Sequence, residues 1–270
     1  MTGARRTVWI ALAVLAFAAA AQGRKTAASA KHAPEFLSPV FAGERLDYEF
    51  GWNGIPAADV VVRIDTDEYN GRPCYHVRVD MSTKPQVDWI WKMRDRIDTY
   101  AEIGTLRPLT YSFRQREGNF SHDTDVVFDQ TRKVATSIRK YKGQVKVTTI
   151  PCKDVYDPMT ALLRMRVSEA TIGEEEELLV FDGTRVHTIR YAVQAIGEVE
   201  TEFGAIRARK VKPWIAKSEP PVRQTDNSKT AKVREVFGWI GLPGDTLLYR
   251  IESAVTVGKI YGELVDRQAP

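Results

Sequence analysis

The strongest constraint in this sequence is a succession of short alternating runs separated by turn pairs, announced by Asn53-Gly54 and Asn70-Gly71. An Asn-Gly pair accepts the left-handed backbone that a two-residue hairpin demands, so each joins two neighbouring antiparallel strands. The flanking runs have a period of two. Leu46, Tyr48 and Phe50 alternate with Arg45, Asp47 and Glu49; Tyr75, Val77, Val79 and Met81 alternate with His76, Arg78 and Asp80. That period buries one face of a strand and wets the other. Further runs follow at short spacing, from RIDTYAEI, LTYSFRQRE, DTDVVFDQ, KVATSIRKY and QVKVTTIP to TLLYRIESAV and KIYGELVD, with turns at Gly104, Gly118-Asn119, DQTR and Gly143. The pattern predicts an all-β fold: a curved antiparallel sheet forming a half-barrel or a closed barrel.

One segment departs from it. VYDPMTALLRMRV, residues 155–167, is patterned as a short inserted helix. Asp157 can cap its first turn by accepting a backbone N–H, and Pro158 suits the first helical position, where a missing N–H costs nothing. Met159, Leu162, Leu163 and Val167 fall on one side, with Arg164 and Arg166 elsewhere. The expectation is an amphipathic helix whose apolar side plugs the mouth of the curved sheet. The segment holds no Ser-His or Cys-His pairing, no paired carboxylates and no glycine-rich phosphate loop, so no catalytic residues are assigned.

The N-terminus reads as a targeting segment. Arg5 and Arg6 precede the apolar run VWIALAVLAFAAAA, and Ala19 and Ala21 offer a small-residue cleavage site near Ala21. The run is shorter than the ~20 residues that span hydrocarbon. Residues 1–21 are therefore expected to be a signal peptide, 22–42 a flexible leader and 43–266 a single β domain with an exposed loop at 216–230; the location implied is periplasmic, with no stable membrane span after cleavage. Residues 1–21 carry no acid, so their removal with Arg5 and Arg6 takes the formal charge of +4 to near +2. Acids and bases read as interspersed, without the concentrated basic patch that nucleic-acid binding wants. The two cysteines, Cys74 and Cys152, are either a disulfide in an oxidising compartment or two small apolar residues on separate strands.

Residues that could carry chemistry are few. His32, His76, His122 and His187 lack close metal-ligand spacing, and neither a metal nor a cofactor is expected. His76 reads as solvated or paired, and His187 as a core histidine with a partner. VDWIWKMRDRIDTY, residues 87–100, is the other distinctive run. As a strand it would place Trp89, Trp91 and Met93 on one face, either covering the core or forming an aromatic rim at a cavity mouth. Asp95, Arg96 and Asp98 could form a cross-strand ion network. If the protein were a hydrolase, Asp95 or Asp98 would face another acid across a cleft.

GERLDYEFGWNGIPAADVVVRID, MRDRIDTYAEIGTLRPLTYSFRQREGNF, YDPMTALLRMR and VHTIRYAVQAIGEVETEFGAIRARKV occur in that order, followed by the closing GKIYGELV. Together they resemble the DUF3108 family of exported bacterial envelope proteins, over most of residues 43–266; the chain departs from the family pattern over 213–245. The resemblance implies a curved antiparallel sheet around a helix, similar to lipoprotein-carrier and lipid-binding half-barrels, and it transfers no catalytic residue. The leading expectation is a non-enzymatic periplasmic protein that holds a lipid-like or glycan envelope component. Its expected lining is Trp89, Trp91, Met159, Leu162 and Leu163, and its polar anchors Arg94 and Arg96. The alternatives are an envelope scaffold with a packed interior and, third, a hydrolase of envelope polymers.

Overall fold

The computed structural model of the chain describes residues 40–216, 235–254 and 258–268. The expected signal peptide, most of the leader and nearly all of the 216–230 loop lie outside these residues. Among the described residues, fifteen strands make one open, curved sheet. They run β1 (Glu44–Trp52), β2 (Ile55–Tyr69), β3 (Arg72–Thr83), β4 (Arg94–Glu102), β5 (Pro108–Glu117), β6 (Phe120–Asp129), β7 (Val134–Tyr141), β8 (Gln144–Pro151), β9 (Val155–Tyr156), β10 (Glu175–Phe181), β11 (Val186–Thr201), β12 (Gly204–Ile215), β13 (Glu235–Gly241), β14 (Leu248–Ala254) and β15 (Lys259–Gln268). Two helices interrupt them: α1 (Pro85–Asp88) and α2 (Pro158–Arg166).

From β1 to β8 and from β10 to β15, each strand pairs with its sequence neighbour. The two meanders are joined where the last strand returns to the first, Tyr48 opposite Leu264 and Phe50 opposite Gly262. Asn53-Gly54, Asn70-Gly71 and Lys142-Gly143 all have both residues at positive φ, which matches the right-handed strand twist at a two-residue hairpin. β8 and β9 form the two edges. The sheet is antiparallel except at one edge, where β9 pairs in parallel with β10. A parallel pair needs a crossover connection, and α2 supplies it.

Alternation decides which side is core. Leu46, Tyr48 and Phe50 face inward beside Val60 and Val62 of β2 and Val77, Val79 and Met81 of β3, and all but the half-buried Val62 are buried. The row continues through Asp95, Ile97 and Thr99 of β4 to Phe113 and Tyr111 of β5. Glycines admit the widest side chains. Gly262 lies opposite Phe50, and a Cβ there would overlap the Phe50 ring.

Candidate functional site

α2 lies in the concavity of the sheet. Asp157 caps it as expected: its Oδ1 accepts from the N–H groups of Met159 (2.7 Å) and Thr160 (3.2 Å), while the Thr160 hydroxyl accepts from Asp157 N–H (3.0 Å). The helix is not divided into a covered and an open side as its amphipathic pattern suggests, because Arg164 and Arg166 are as buried as Met159 and Leu163. Arg166 finds its compensation far away in sequence. It donates to both oxygens of buried Glu44 at 2.8 Å and to the Thr246 carbonyl at 2.6 Å, with its guanidinium over the Phe41 ring. Such a pair survives burial only when its remaining hydrogen bonds are met, as they largely are here. Arg209, also buried, donates to the carbonyls of Gly241, Ser168 and Arg166 and closes the C-terminal end of α2, where carbonyls lack helical partners. Arg164 sits beside Tyr156, and its Nε and Nη1 have no hydrogen-bond partner among the described residues.

A recess remains between α2 and β1–β3 with β14. Met159, Leu162 and Leu163 form its helical wall. Leu46, Tyr48, Phe50, Val60, Val62, Val77, Val79, Leu248 and Ile251 form the sheet wall, and Arg166 completes the lining. The space amounts to about 590 Å³ including the part open to solvent. As a cavity it measures only about 40 Å³, room for about three waters. Leu162 is half-buried, the single residue of α2 that is not fully covered. The polar groups of the lining are spent: Tyr48 OH donates to the Leu248 carbonyl at 2.8 Å, and burial pushes that phenol well above its ordinary range. The recess is thus walled by hydrocarbon, with no free polar group in its lining among the described residues.

The structure brings together three of the seven expected lining and anchor residues. Trp89 lies outside the recess, 80% exposed, and Trp91 packs half-buried against the core. Of the two forms open to this run, strand or edge loop, no strand forms before Arg94. Pro85 starts a helical turn instead, with Val87, Ile90 and Trp91 N–H groups bonded to carbonyls three or four residues back. Arg94 is bonded to Asp88 and to the Thr83 hydroxyl, and Arg96 to Asp80 at 2.7 Å on the outer face of the sheet. Neither anchors the recess. The sheet wall was marked only by its alternation, which names an inward face without saying what faces it.

The Asp95–Arg96–Asp98 network divides between the two faces. Asp98 lies outside with His76 (2.8 Å) and Arg78 (2.9 Å); burial would raise its carboxyl, but these partners outweigh that and hold it below its ordinary value. Asp95 lies inside, 3% exposed, against Glu117 at 4%. Burial pushes Asp95 up to about 7, with the Glu117 charge adding to the effect and the Arg116 N–H at 2.6 Å opposing it; burial likewise raises Glu117. Burial and the neighbouring Glu117 charge both favour the protonated form of Asp95; Glu117 Oε1 accepts from the Gln115 amide at 2.5 Å, while Asp95 Oδ2 and Glu117 Oε2 have no hydrogen-bond partner among the described residues. Asp95 does neighbour another acid, but as a covered pair rather than across the cleft foreseen for a hydrolase, and neither member lines the recess. His122 is buried on the same inner face near Arg139, and burial, followed by that charge, lowers its pKa. Among the described residues no group of three or more His, Cys, Asp or Glu converges as a metal site.

Cys74 and Cys152 are separate buried thiols. Four strands lie between β3, which carries Cys74, and β8, which Cys152 follows; the Cys152 thiol points at the Asp129 carbonyl instead. Of the two readings offered by the sequence, the structure takes the unbridged one.

These features define a β-barrel-like protein, an open curved sheet closed around one buried helix. The chain belongs to the family described as Protein of unknown function (DUF3108), whose model matches residues 47–265. Its fold is similar to the crystal structure of a β-barrel-like protein of the domain of unknown function DUF1849 from Brucella abortus, at 10% identity and a TM-score of 0.57 over 85% of this chain and 98% of that one. Two others align less closely: a candidate exported protein with a YmcC-like fold from Bacteroides fragilis (12% identity, TM-score 0.38, 87% and 99% covered) and a candidate lipoprotein from Parabacteroides distasonis (12%, 0.33, 87% and 99%). No curated protein matches the chain.

Proposed function

We propose that this is an exported, non-enzymatic protein of the bacterial envelope that holds an apolar or amphipathic, lipid-like component against α2. The observation that carries this reading is the recess itself, a hydrocarbon-lined space between a buried helix and a bent sheet, with one half-covered leucine at its open side. Ligand sites of this kind bind through apolar lining with few polar groups. The apolar N-terminal run supports export to the periplasm, and among the described residues no helix is long and apolar enough to cross a membrane. Hydrolysis gains no support from Asp95 and Glu117, because both are covered and neither reaches the recess.

A second reading, a packed scaffold in envelope assembly, is favoured by the small cavity volume of about 40 Å³ and by the fixing of both ends of α2. A lipophilic fluorescent dye separates the two. A carrier binds it saturably, and Leu162→Trp, which fills the recess from its half-exposed side, weakens binding by about tenfold. No saturable binding, or equal binding by both proteins, would leave the scaffold.

A further inference from the structure

We infer that one rim of the sheet is a docking surface for an anionic lipid bilayer. Strand register places the 52–55, 83–93, 117–120 and 141–144 connections at the same end of the sheet. Their contacts run in series. Lys84 N–H bonds the Ala57 carbonyl of β2, Gly118 N–H bonds the Lys92 carbonyl, and the Phe120 ring lies 5.2 Å from that of Tyr141 at the head of the β7–β8 hairpin.

Two independent features mark this rim. The first is apolar. Trp52 and Ile55, flanking the tip of the β1–β2 hairpin, are 46% and 62% exposed; Trp89 and Ile90, on the neighbouring connection, are 80% and 60% exposed. Four large apolar side chains held out on two adjacent turns are costly in water, and indole suits the boundary between hydrocarbon and headgroups, being apolar in body and polar at one edge. The second is charge, and it corrects the even distribution read from composition. Between Asp129 and Asp154 the sequence holds seven lysines and arginines and no acid. Lys140, Lys142 and Lys146 of this stretch stand exposed on the β7–β8 hairpin, with Lys92 exposed nearby. The neighbouring acids Asp88 and Asp123 are already tied to Arg94 and Arg116.

Basic side chains beside exposed indoles fit an anionic bilayer surface: the charges draw the rim in, and the tips enter the headgroup layer. A second copy of the chain fits less well, since it would bring one basic hairpin against another. Docking is separate from the recess and holds whether or not a guest occupies it.

Flotation with vesicles tests this, using the protein as its host processes it. Binding is expected to vesicles of mixed phosphatidylglycerol and phosphatidylcholine, falling with added salt, and to be far weaker to phosphatidylcholine alone. Trp89→Ser/Ile90→Ser, a change at exposed positions, is expected to lower the partition by about tenfold or more. Lys140→Glu/Lys142→Glu/Lys146→Glu is expected to remove the preference for anionic vesicles. Leu162→Trp should dock normally, which keeps the rim distinct from the recess. Failure of the wild type to float, or unchanged flotation of both rim variants, overturns the inference. So does a dimer in solution that the Trp89/Ile90 variant dissolves without any vesicle binding, because the face then belongs to a second copy.

Discussion

Replacing Asp95 by asparagine isolates the proton buried on the inner face. The folded carboxyl titrates near 7 against an ordinary 3.8, because burial disfavours its charged form and Glu117 adds to the effect. At about 1.4 kcal/mol per pH unit, ionising it in the folded state costs about 4 kcal/mol more than in the unfolded chain. The folded protein keeps this proton to higher pH than the unfolded one does. The contribution is therefore full below the unfolded value and is lost as pH rises through about 7. The Asp95→Asn variant would retain the geometry, its new amide donating to Glu117 and its oxygen accepting from Arg116 N–H, but the amide does not titrate. Urea unfolding of both proteins at about pH 4.5 and about pH 8.5 should then show the wild-type stability, relative to the variant, falling by about 3 kcal/mol across that interval. Burial also raises Asp157, to about 6. That adds a slope of the same sign to both proteins and cancels in the comparison. Parallel stability profiles, with a difference that does not change with pH, would refute the reasoning.

Two further substitutions probe the way the helix and sheet are held. Arg166→Met strands a buried Glu44 carboxylate, so urea unfolding should show a loss of about 3–5 kcal/mol, most of it recovered in the double variant Arg166→Met/Glu44→Gln. Gly262→Ala drives a methyl group into the buried Phe50 ring and should cost about 1–3 kcal/mol by thermal or urea unfolding; Gly197→Ala, which meets only the Trp239 ring at 4.0 Å, is the milder control.

What the sequence reveals is what short-range chemistry controls. Asn53-Gly54 and Asn70-Gly71 set two hairpins, alternation separates the faces, and Asp157-Pro158 starts the helix, since each rule acts over a few residues. Contacts between distant residues escape it. Nothing in ERLDYEF shows that Tyr48 OH will bond Leu248 or that β1 will pair with β15. Arg166 looks like a solvated charge until Glu44, 122 positions upstream, is placed against it. Trp89 and Trp91 mislead because Pro85 lacks a ladder N–H and bends the chain into a helical turn before β4 begins. Asp95 was within reach: it alternates in register with Ile97 and Thr99, while Arg94, Arg96 and Asp98 take the other face, a pattern that marks a buried carboxyl rather than a member of a surface network.

The central claim is that hydrocarbon can enter between α2 and the strands facing it. Native mass spectrometry of the protein isolated from its own cells addresses that most directly. The account predicts a discrete mass increment from one amphipathic molecule, present in the wild type and much reduced in Leu162→Trp. A bare polypeptide mass for the wild type, together with no uptake of an offered fatty acid or phospholipid, would contradict it.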